Sequence, residues 1–139
     1  MKKTNNKGFS LVELIVVIAI MAVLIGVLAP TFTKYVEQAR RSTDIQNAEE
    51  IKQAILADIA DGTITGSGTT VTVGTGTGNV KPSTMATIPT IQGSINKGGS
   101  FTATYDAVNG SCSVFNGSHN LTDAAGAAAY KTSGVGSGS

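Results

Sequence analysis

Few side chains in this sequence could do chemistry, and those few stand apart from one another. His119 is the single histidine and Cys112 is the single cysteine. One cysteine excludes an intramolecular disulfide and a thiolate-rich zinc site, and one histidine excludes most histidine-based metal sites. The glycine-rich run 74–78 lacks the Lys-Ser/Thr pair and the following helix of a phosphate-binding loop. The sequence therefore predicts a protein that is not an enzyme and that holds no metal or cofactor.

Glu13 is the residue whose position requires an explanation. It directly precedes residues 14–33, which form an uncharged and mostly apolar run. As a helix this run would be about 30 Å long, which is the thickness of a bilayer core. A carboxylate at the centre of a membrane costs roughly 2.5–3.5 kcal/mol, and less near the interface. Glu13 therefore either lies harmlessly among lipid headgroups or pairs with a cation at the same depth, such as the amino terminus of a neighbouring chain.

The charged residues and the glycines divide the chain into three unlike segments. The net charge of the 139 residues is +1, and this argues against a nucleic-acid-binding surface. Residues 1–8 contain three lysines and no acid, residues 9–61 contain one glycine, and residues 62–139 contain fifteen of the 17 glycines. This division predicts a basic leader, a long helix and a Gly/Thr/Ser-rich head. The head ends in a low-complexity, flexible C-terminal tail, 124–139, whose last residues should be mobile.

The membrane-length helix has one weak turn. Pro30 lacks an N–H group and its ring crowds the carbonyl of Gly26, which itself has a low helix propensity. The simple interpretation is a kink in the membrane helix. The alternative is that residues 26–30 unwind when the helices of several chains pack together.

Beyond Pro30 the pattern becomes amphipathic. Apolar residues recur at spacings of three and four as far as Ile59, and Gly62 marks the C-terminal stop. The stripe from Ile45 to Ile59 predicts a partner, for which the following domain is the obvious candidate. The face opposite the stripe is expected to carry three ion pairs, Glu37/Arg41, Arg40/Asp44 and Glu49/Lys52. Asp58 and Asp61 oppose the dipole at the C-terminal end of the helix, where fraying is expected.

The clearest signal in the head is a β-hairpin. Asn109-Gly110 is the preferred pair for a two-residue type I′ turn, and it predicts that Val108 lies opposite Ser111. Cys112 is expected to be buried and unreactive, and a shorter strand is expected at residues 69–73. The predicted register places six residues on one face, which should cover the stripe on the helix: Phe101, Ala103, Tyr105, Ala107, Cys112 and Val114.

The start of the chain resembles that of a known family. Residues 7–15, KGFSLVELI, follow a short basic leader and head an apolar helix, and in this they are similar to the N-terminus of the type IV pilin (prepilin) family. The resemblance implies that a prepilin peptidase cuts between Gly8 and Phe9 and N-methylates Phe9. It also implies that Glu13 is the assembly residue, which pairs with the terminal amine of an adjacent subunit, and that Pro30 matches the proline of the family's membrane helix.

The resemblance also indicates the fold. We expect an α+β protein in which a long N-terminal helix, half transmembrane and half amphipathic, packs against a small antiparallel β-sheet head. The expected segments are a leader at 1–8, a transmembrane and filament-core helix at 9–33, an amphipathic helix at 34–61 and a head at 62–139. Many heads in the family carry a disulfide near the C-terminus, which a single cysteine cannot form within one chain.

The predicted function is structural. The chain is expected to be a subunit, a major pilin, of an extracellular type IV pilus, assembled by helix–helix packing after leader cleavage. Its expected partners are identical subunits, the prepilin peptidase/N-methyltransferase, the assembly machinery in the membrane and, before assembly, the lipid bilayer. The precursor is expected in the cytoplasmic membrane and the assembled protein in the extracellular fibre. The alternative is a pseudopilin of a type II secretion or DNA-uptake (competence) machine, which would share Glu13 and the long helix.

Overall fold

The computed structural model describes residues 8–134, and these residues have an α+β fold. In chain order the elements are α1 (Leu11–Ala60), β1 (Ser67–Thr72), β2 (Thr102–Asp106), β3 (Ser111–Asn116), β4 (His119–Asn120) and α2 (Ala124–Thr132). The chain divides into two compact units, Met1–Tyr35 and Val36–Ser139. The predicted fold class, a long N-terminal helix followed by a small antiparallel sheet, is confirmed. Of the predicted leader, residues 1–7 lie outside the described residues.

The second unit is built around a four-stranded sheet. Its strands pair antiparallel in the order β1-β2-β3-β4. The sheet and the part of α1 within this unit share one buried apolar core, in which each large side chain contributes roughly 1.5–3 kcal/mol by leaving water. The predicted contact between the helix stripe and the hairpin face is therefore confirmed. The core includes Ala48, Ile51 and Ile55 of α1, Ala103 and Val114 of the sheet, and Phe101, which directly precedes β2.

The hairpin between β2 and β3 has a longer turn than predicted. Asp106, and not Val108, lies opposite Ser111, so that the loop contains the four residues 107–110 instead of two. The prediction was wrong because it considered Asn109-Gly110 alone. The Asp106 carboxylate accepts hydrogen bonds from the backbone N–H groups of Val108 (2.9 Å) and Asn109 (3.3 Å), which bends the chain before the Asn-Gly pair. Gly110 then completes the turn with φ +62°.

The error in register is two residues, so the buried face of the hairpin is unchanged. Side chains alternate between the two faces of a strand, and a shift by an even number therefore preserves the face. Phe101, Ala103, Cys112 and Val114 are all buried as predicted. Ala107 instead falls in the turn. The strand expected at residues 69–73 corresponds to β1.

Three charged residues of α1 are buried, although the prediction placed two of them, Arg41 and Asp44, opposite the apolar stripe. Arg41 is 2% exposed, and Asp44 and Asp58 are 0% exposed. Positions 41, 44, 48, 51, 55 and 58 are separated by three or four residues, so the charged residues share the face of the apolar core. The predicted pairs Glu37/Arg41 (2.7 Å) and Glu49/Lys52 (3.4 Å) form. The pair Arg40/Asp44 is not among the ion pairs of the described residues, because Asp44 bonds to groups inside the head.

Fraying was predicted for the C-terminal end of α1, but this end is held in place. The Asp58 carboxylate accepts hydrogen bonds from the backbone N–H (2.6 Å) and the hydroxyl of Ser83. These bonds offset the unfavourable position of an acid at this end of a helix. Gly62 adopts φ +76° and its N–H bonds to the carbonyl of Ile59 (3.1 Å), as expected of a C-terminal stop.

The low-complexity tail contains a second helix. Asp123 is its N-cap, and the Asp123 carboxylate accepts a hydrogen bond from the N–H of Gly126 (3.2 Å). The side chain of Tyr130 is fully buried. The prediction of a flexible tail is therefore wrong for Ala124–Thr132, because Tyr130 anchors this segment in the core. The last residues, 135–139, lie outside the described part of the chain.

Candidate functional site

The first turn of α1 holds the Glu13 carboxylate against the backbone. Ser10 directly precedes the helix, and its N–H donates to Glu13 Oε2 at 2.9 Å. A glutamate at the third helical position that bonds back to the N–H of the cap residue is half of a capping box. The carboxylate also lies at the positive end of the helix dipole. This contact was not predicted from the sequence, although the pattern Ser-x-x-Glu could have indicated it.

Gly8 and Phe9 precede the helix without regular secondary structure. The side chain of Phe9 is 93% exposed. Apart from Gly8 itself and its two chain neighbours, no atom of the described chain lies within 4 Å of the position that a Cβ on Gly8 would occupy. The peptide bond between these two residues is thus open to approach within the described residues.

The side chains from Phe9 to Tyr35 form an exposed apolar surface around the helix. Its large apolar side chains are all half exposed or more. Glu13 is the only charged residue between positions 9 and 33. Among the helices of residues 8–134, only α1 is long and apolar enough to cross a membrane. An apolar surface of this extent marks a contact with a membrane or another protein.

The predicted weak turn is helical in this structure. The helical conformation continues through Gly26 and Pro30. Thr33 Oγ1 donates a hydrogen bond of 2.9 Å to the carbonyl of Pro30. Because Pro30 has no N–H, the carbonyl of Gly26 lacks its usual helical donor. Unwinding of this turn on assembly stays a prediction.

A buried polar cluster, which was not predicted from the sequence, joins α1, the loop at 92–94 and α2. Asp44 accepts three hydrogen bonds, from the N–H groups of Gln92 (2.7 Å) and Gly93 (2.8 Å) and from the hydroxyl of Tyr130 (2.6 Å). The same hydroxyl accepts a hydrogen bond from Asn116 Nδ2 (3.0 Å). The pKa of Tyr130 is raised, chiefly by burial and then by the hydrogen bond to Asp44 and the charge of Asp44. The hydroxyl therefore stays protonated and acts as the donor to Asp44.

Arg41 connects this cluster to the end of α2. Its guanidinium donates to the carbonyls of Tyr130 (2.8 Å) and Ser133, where a cation complements the helix dipole. It also bonds to Glu37 at 2.7 Å, and Ser94 donates to the same carboxylate through its N–H (2.8 Å) and hydroxyl (2.7 Å). Burial raises the pKa of Glu37, but the hydrogen bonds from Arg41 and Ser94 outweigh it, so that the pKa stands below its ordinary value. This arrangement holds α2 in place.

The other candidate residues of the head do not converge on one site. His119 Nε2 lies 2.9 Å from Ser133 Oγ. Cys112 is buried as predicted, and burial raises the pKa of its thiol to about 11, so the thiol stays protonated. Gly74 and Gly76 line a cavity of about 400 Å³ whose lining contains no titratable side chain. Within residues 8–134, no group of three or more His, Cys, Asp or Glu side chains could hold a metal ion.

This chain is similar to known proteins in its N-terminal motif, and it spans about half the length of the curated relatives that it matches. Residues 3–29 match the family model described as the prokaryotic N-terminal methylation motif. Over 80 residues the chain is 35% identical to prepilin peptidase-dependent protein A of Clostridium perfringens (strain 13 / Type A), covering 58% of this chain and 57% of that protein. Over 66 residues it is 32% identical to type IV major fimbrial protein FimA of Dichelobacter nodosus (strain VCS1703A), covering 48% of this chain and 41% of that protein. No solved structure matches the chain.

Proposed function

We propose that this chain, as a type IV pilin-like protein, is a structural subunit of an extracellular pilus, and specifically a major pilin. The observation that carries the proposal is the exposed apolar surface from Phe9 to Tyr35, with a single carboxylate, Glu13, in its first helical turn. The lipid bilayer covers this surface while the precursor is in the cytoplasmic membrane, and the helices of identical subunits cover it in the fibre. The similarity to a protein named as a major fimbrial protein supports this interpretation.

Four segments have separate roles in this proposal. The leader, 1–8, is removed; residues 9–33 span the membrane and then form the filament core; residues 34–61 pack on the head; and residues 62–139 form the head. The division into compact units between Tyr35 and Val36 lies two residues from the proposed boundary after residue 33. We include in the proposal that the turn at Gly26 and Pro30 unwinds when subunits pack, because its backbone lacks one hydrogen bond.

Leader removal is proposed between Gly8 and Phe9, by a prepilin peptidase that then methylates Phe9. The open surroundings of Gly8 support access to this bond. In Gly8→Val, a branched side chain beside the bond should hinder the peptidase, since glycine alone leaves the backbone uncovered. We expect uncut precursor in the membrane by intact-mass measurement, whereas Gly26→Ala, at a second open glycine of the same unit, should be cut normally. A normal mature mass for Gly8→Val would contradict the proposed site.

Glu13 is proposed to pair with the Phe9 amine of a neighbouring subunit. A methylated amine remains cationic, so the contact is a charge-assisted hydrogen bond. Ser10 N–H bonds to Oε2, and Oε1 has no donor within the described residues and can receive the amine. Leaving one partner of such a buried pair alone costs roughly 3–5 kcal/mol. Because this cost recurs at every subunit contact, the pair favours subunits that have the correct axial stagger.

Glu13→Gln separates the two roles of this residue. Glutamine can still accept the hydrogen bond from Ser10 N–H but carries no charge, whereas Glu13→Leu loses both properties. We expect both precursors to be inserted and cleaved but to form few or no fibres, and Glu13→Asp to be intermediate because its charge remains with a shorter reach. Glu50→Gln, at an exposed acid of α1 in the other unit, is the matched control and should assemble normally. Abundant fibres from Glu13→Gln would show that Glu13 serves only as a cap.

The function itself is tested on material sheared from the cell surface. Electron microscopy should show filaments, and mass spectrometry of these filaments should give this chain with N-methylated Phe9 as its first residue. Processed protein that stays in the cell envelope, without surface filaments, would contradict a major pilin and would favour the pseudopilin of a secretion or DNA-uptake machine.

A further inference from the structure

The head contains two Asn-Gly pairs that share their chemistry but differ in their surroundings. Asn109-Gly110 lies in the turn between β2 and β3, and Asn116-Gly117 lies at the end of β3. In both pairs the second residue has no Cβ, so its backbone nitrogen can approach the preceding side chain closely. Gly110 and Gly117 also have nearly the same φ, +62° and +60°. The two pairs therefore form an internal comparison within one chain.

The Asn116 side chain is held inside the head. It is 0% exposed. Its Oδ1 accepts a hydrogen bond from Asn96 Nδ2 (2.7 Å), and its Nδ2 donates to the carbonyl of Ile95 (3.0 Å) and to the hydroxyl of Tyr130 (3.0 Å). Turning Cγ toward the nitrogen of Gly117 would break all three bonds and leave buried polar groups without partners. This amide is protected by its position.

The Asn109 side chain is on the surface. The residue is exposed, and its Nδ2 makes one hydrogen bond, to Asp106 Oδ2. A single bond at the surface competes with water, so the side chain can leave it often. The backbone N–H of Gly110 donates to no acceptor within residues 8–134. Both reacting groups are therefore accessible to each other and to water.

We infer that Asn109 is a site of spontaneous deamidation and that Asn116 is not. The backbone nitrogen of Gly110 attacks Cγ of Asn109, and the new N–Cγ bond closes a cyclic imide. The Cγ–Nδ2 bond breaks, and the amide nitrogen leaves as ammonia with the proton that the Gly110 nitrogen gives up. Water then adds to one of the two imide carbonyls and opens the ring to aspartate or isoaspartate. Water is the only co-reactant, and no group is oxidised or reduced.

The reaction would change the tip of the hairpin. It removes the Nδ2 donor to Asp106 and introduces a second carboxylate beside it, and the two like charges repel each other. The isoaspartate product also lengthens the backbone at the turn by one carbon atom. The head would thus gain one negative charge and a loosened turn with age.

The test uses the full-length chain in detergent micelles, incubated in mildly alkaline buffer. Chymotrypsin separates the two pairs, because cleavage after Tyr105, Phe115 and Leu121 gives peptides 106–115 and 116–121. We expect peptide 106–115 to gain one mass unit, with isoaspartate detectable by enzymatic methylation, and peptide 116–121 to stay unchanged. Asn109→Gln should abolish the gain in peptide 106–115, because the longer side chain closes an imide ring much less readily.

A parallel incubation in concentrated urea shows whether the fold causes the difference. In the unfolded chain both pairs should react at similar rates, since both contain glycine. Equal rates at the two pairs in the folded chain would overturn the inference, as would an unchanged peptide 106–115 in the folded chain when both pairs react in urea.

Discussion

Removal of the Tyr130 hydroxyl tests the buried cluster that holds α2. In Tyr130→Phe the ring stays, but Asp44 loses one of its three hydrogen-bond donors and keeps those of Gln92 and Gly93. Asn116 Nδ2 loses its bond to the hydroxyl but keeps its bond to the carbonyl of Ile95. The substitution therefore removes two hydrogen bonds of the hydroxyl, and the bond to the buried carboxylate is the stronger of the two.

A hydrogen bond to a charged group contributes about 1.5–3 kcal/mol to stability. We therefore expect the free energy of unfolding of the head to fall by about 1.5–3 kcal/mol in Tyr130→Phe. This corresponds to a roughly ten- to hundredfold larger unfolded population, since each 1.4 kcal/mol is about tenfold.

Alkylation of Cys112 reports this change in the full-length chain. The thiol is 8% exposed and its pKa is raised to about 11, so it should react slowly until the head unfolds. Labelling across a urea series in detergent micelles then gives the midpoint of unfolding. Tyr105→Phe is the matched control, because the Tyr105 hydroxyl has no hydrogen-bond partner in the described residues.

The result that would refute this reasoning is a Tyr130→Phe midpoint equal to that of the wild type. A ΔΔG within about 0.5 kcal/mol of zero is typical of surface substitutions away from any such network. An equal loss in Tyr105→Phe would also refute it, because the loss could then not come from the bond to Asp44.

Two further predictions concern the same unit. In Gly126→Ala the new Cβ would stand 2.1 Å from the carbonyl oxygen of Asn120, so we expect α2 to detach from the head. Hydrogen exchange of the amides of residues 127–133 should then become faster. Unchanged exchange would show that the backbone shifts to accommodate the methyl group. The pKa of Glu37 is lowered below 4.5 in the folded head, so its stabilising contribution is complete above that pH and is lost as the pH falls through the lowered value. The stability of the wild-type head, measured by the Cys112 assay, should therefore fall as the pH is lowered. Glu37→Gln should be less stable at neutral pH and should lose less stability on acidification. If the variant loses as much stability as the wild type, other carboxyls cause the acid sensitivity.

The first unit was predictable because its signals are local. The apolar run after Glu13 and the order Gly8-Phe9 can be identified from adjacent residues, and a helix of apolar residues needs no partner within its own chain to form.

The hairpin was partly predictable for a similar reason. Its buried face follows from the period of two along a strand, but its register depended on Asp106, whose carboxylate bonds to the loop and lengthens the turn by two residues.

Sequence alone determined the long helix, the position of Glu13 in its first turn, the stop at Gly62 and the apolar stripe that packs on the hairpin. Only the tertiary structure decided that Arg41, Asp44 and Asp58 share the face of that stripe and that Ala124–Thr132 is a docked helix. The physical reason is that a charged residue can be buried only where partners compensate its lost hydration. Apart from Glu37, which is four residues from Arg41, those partners lie between 25 and 92 residues away in the chain, from Ser83 for Asp58 to Ser133 for Arg41. No local pattern records contacts at that separation, and the fold alone brings them together.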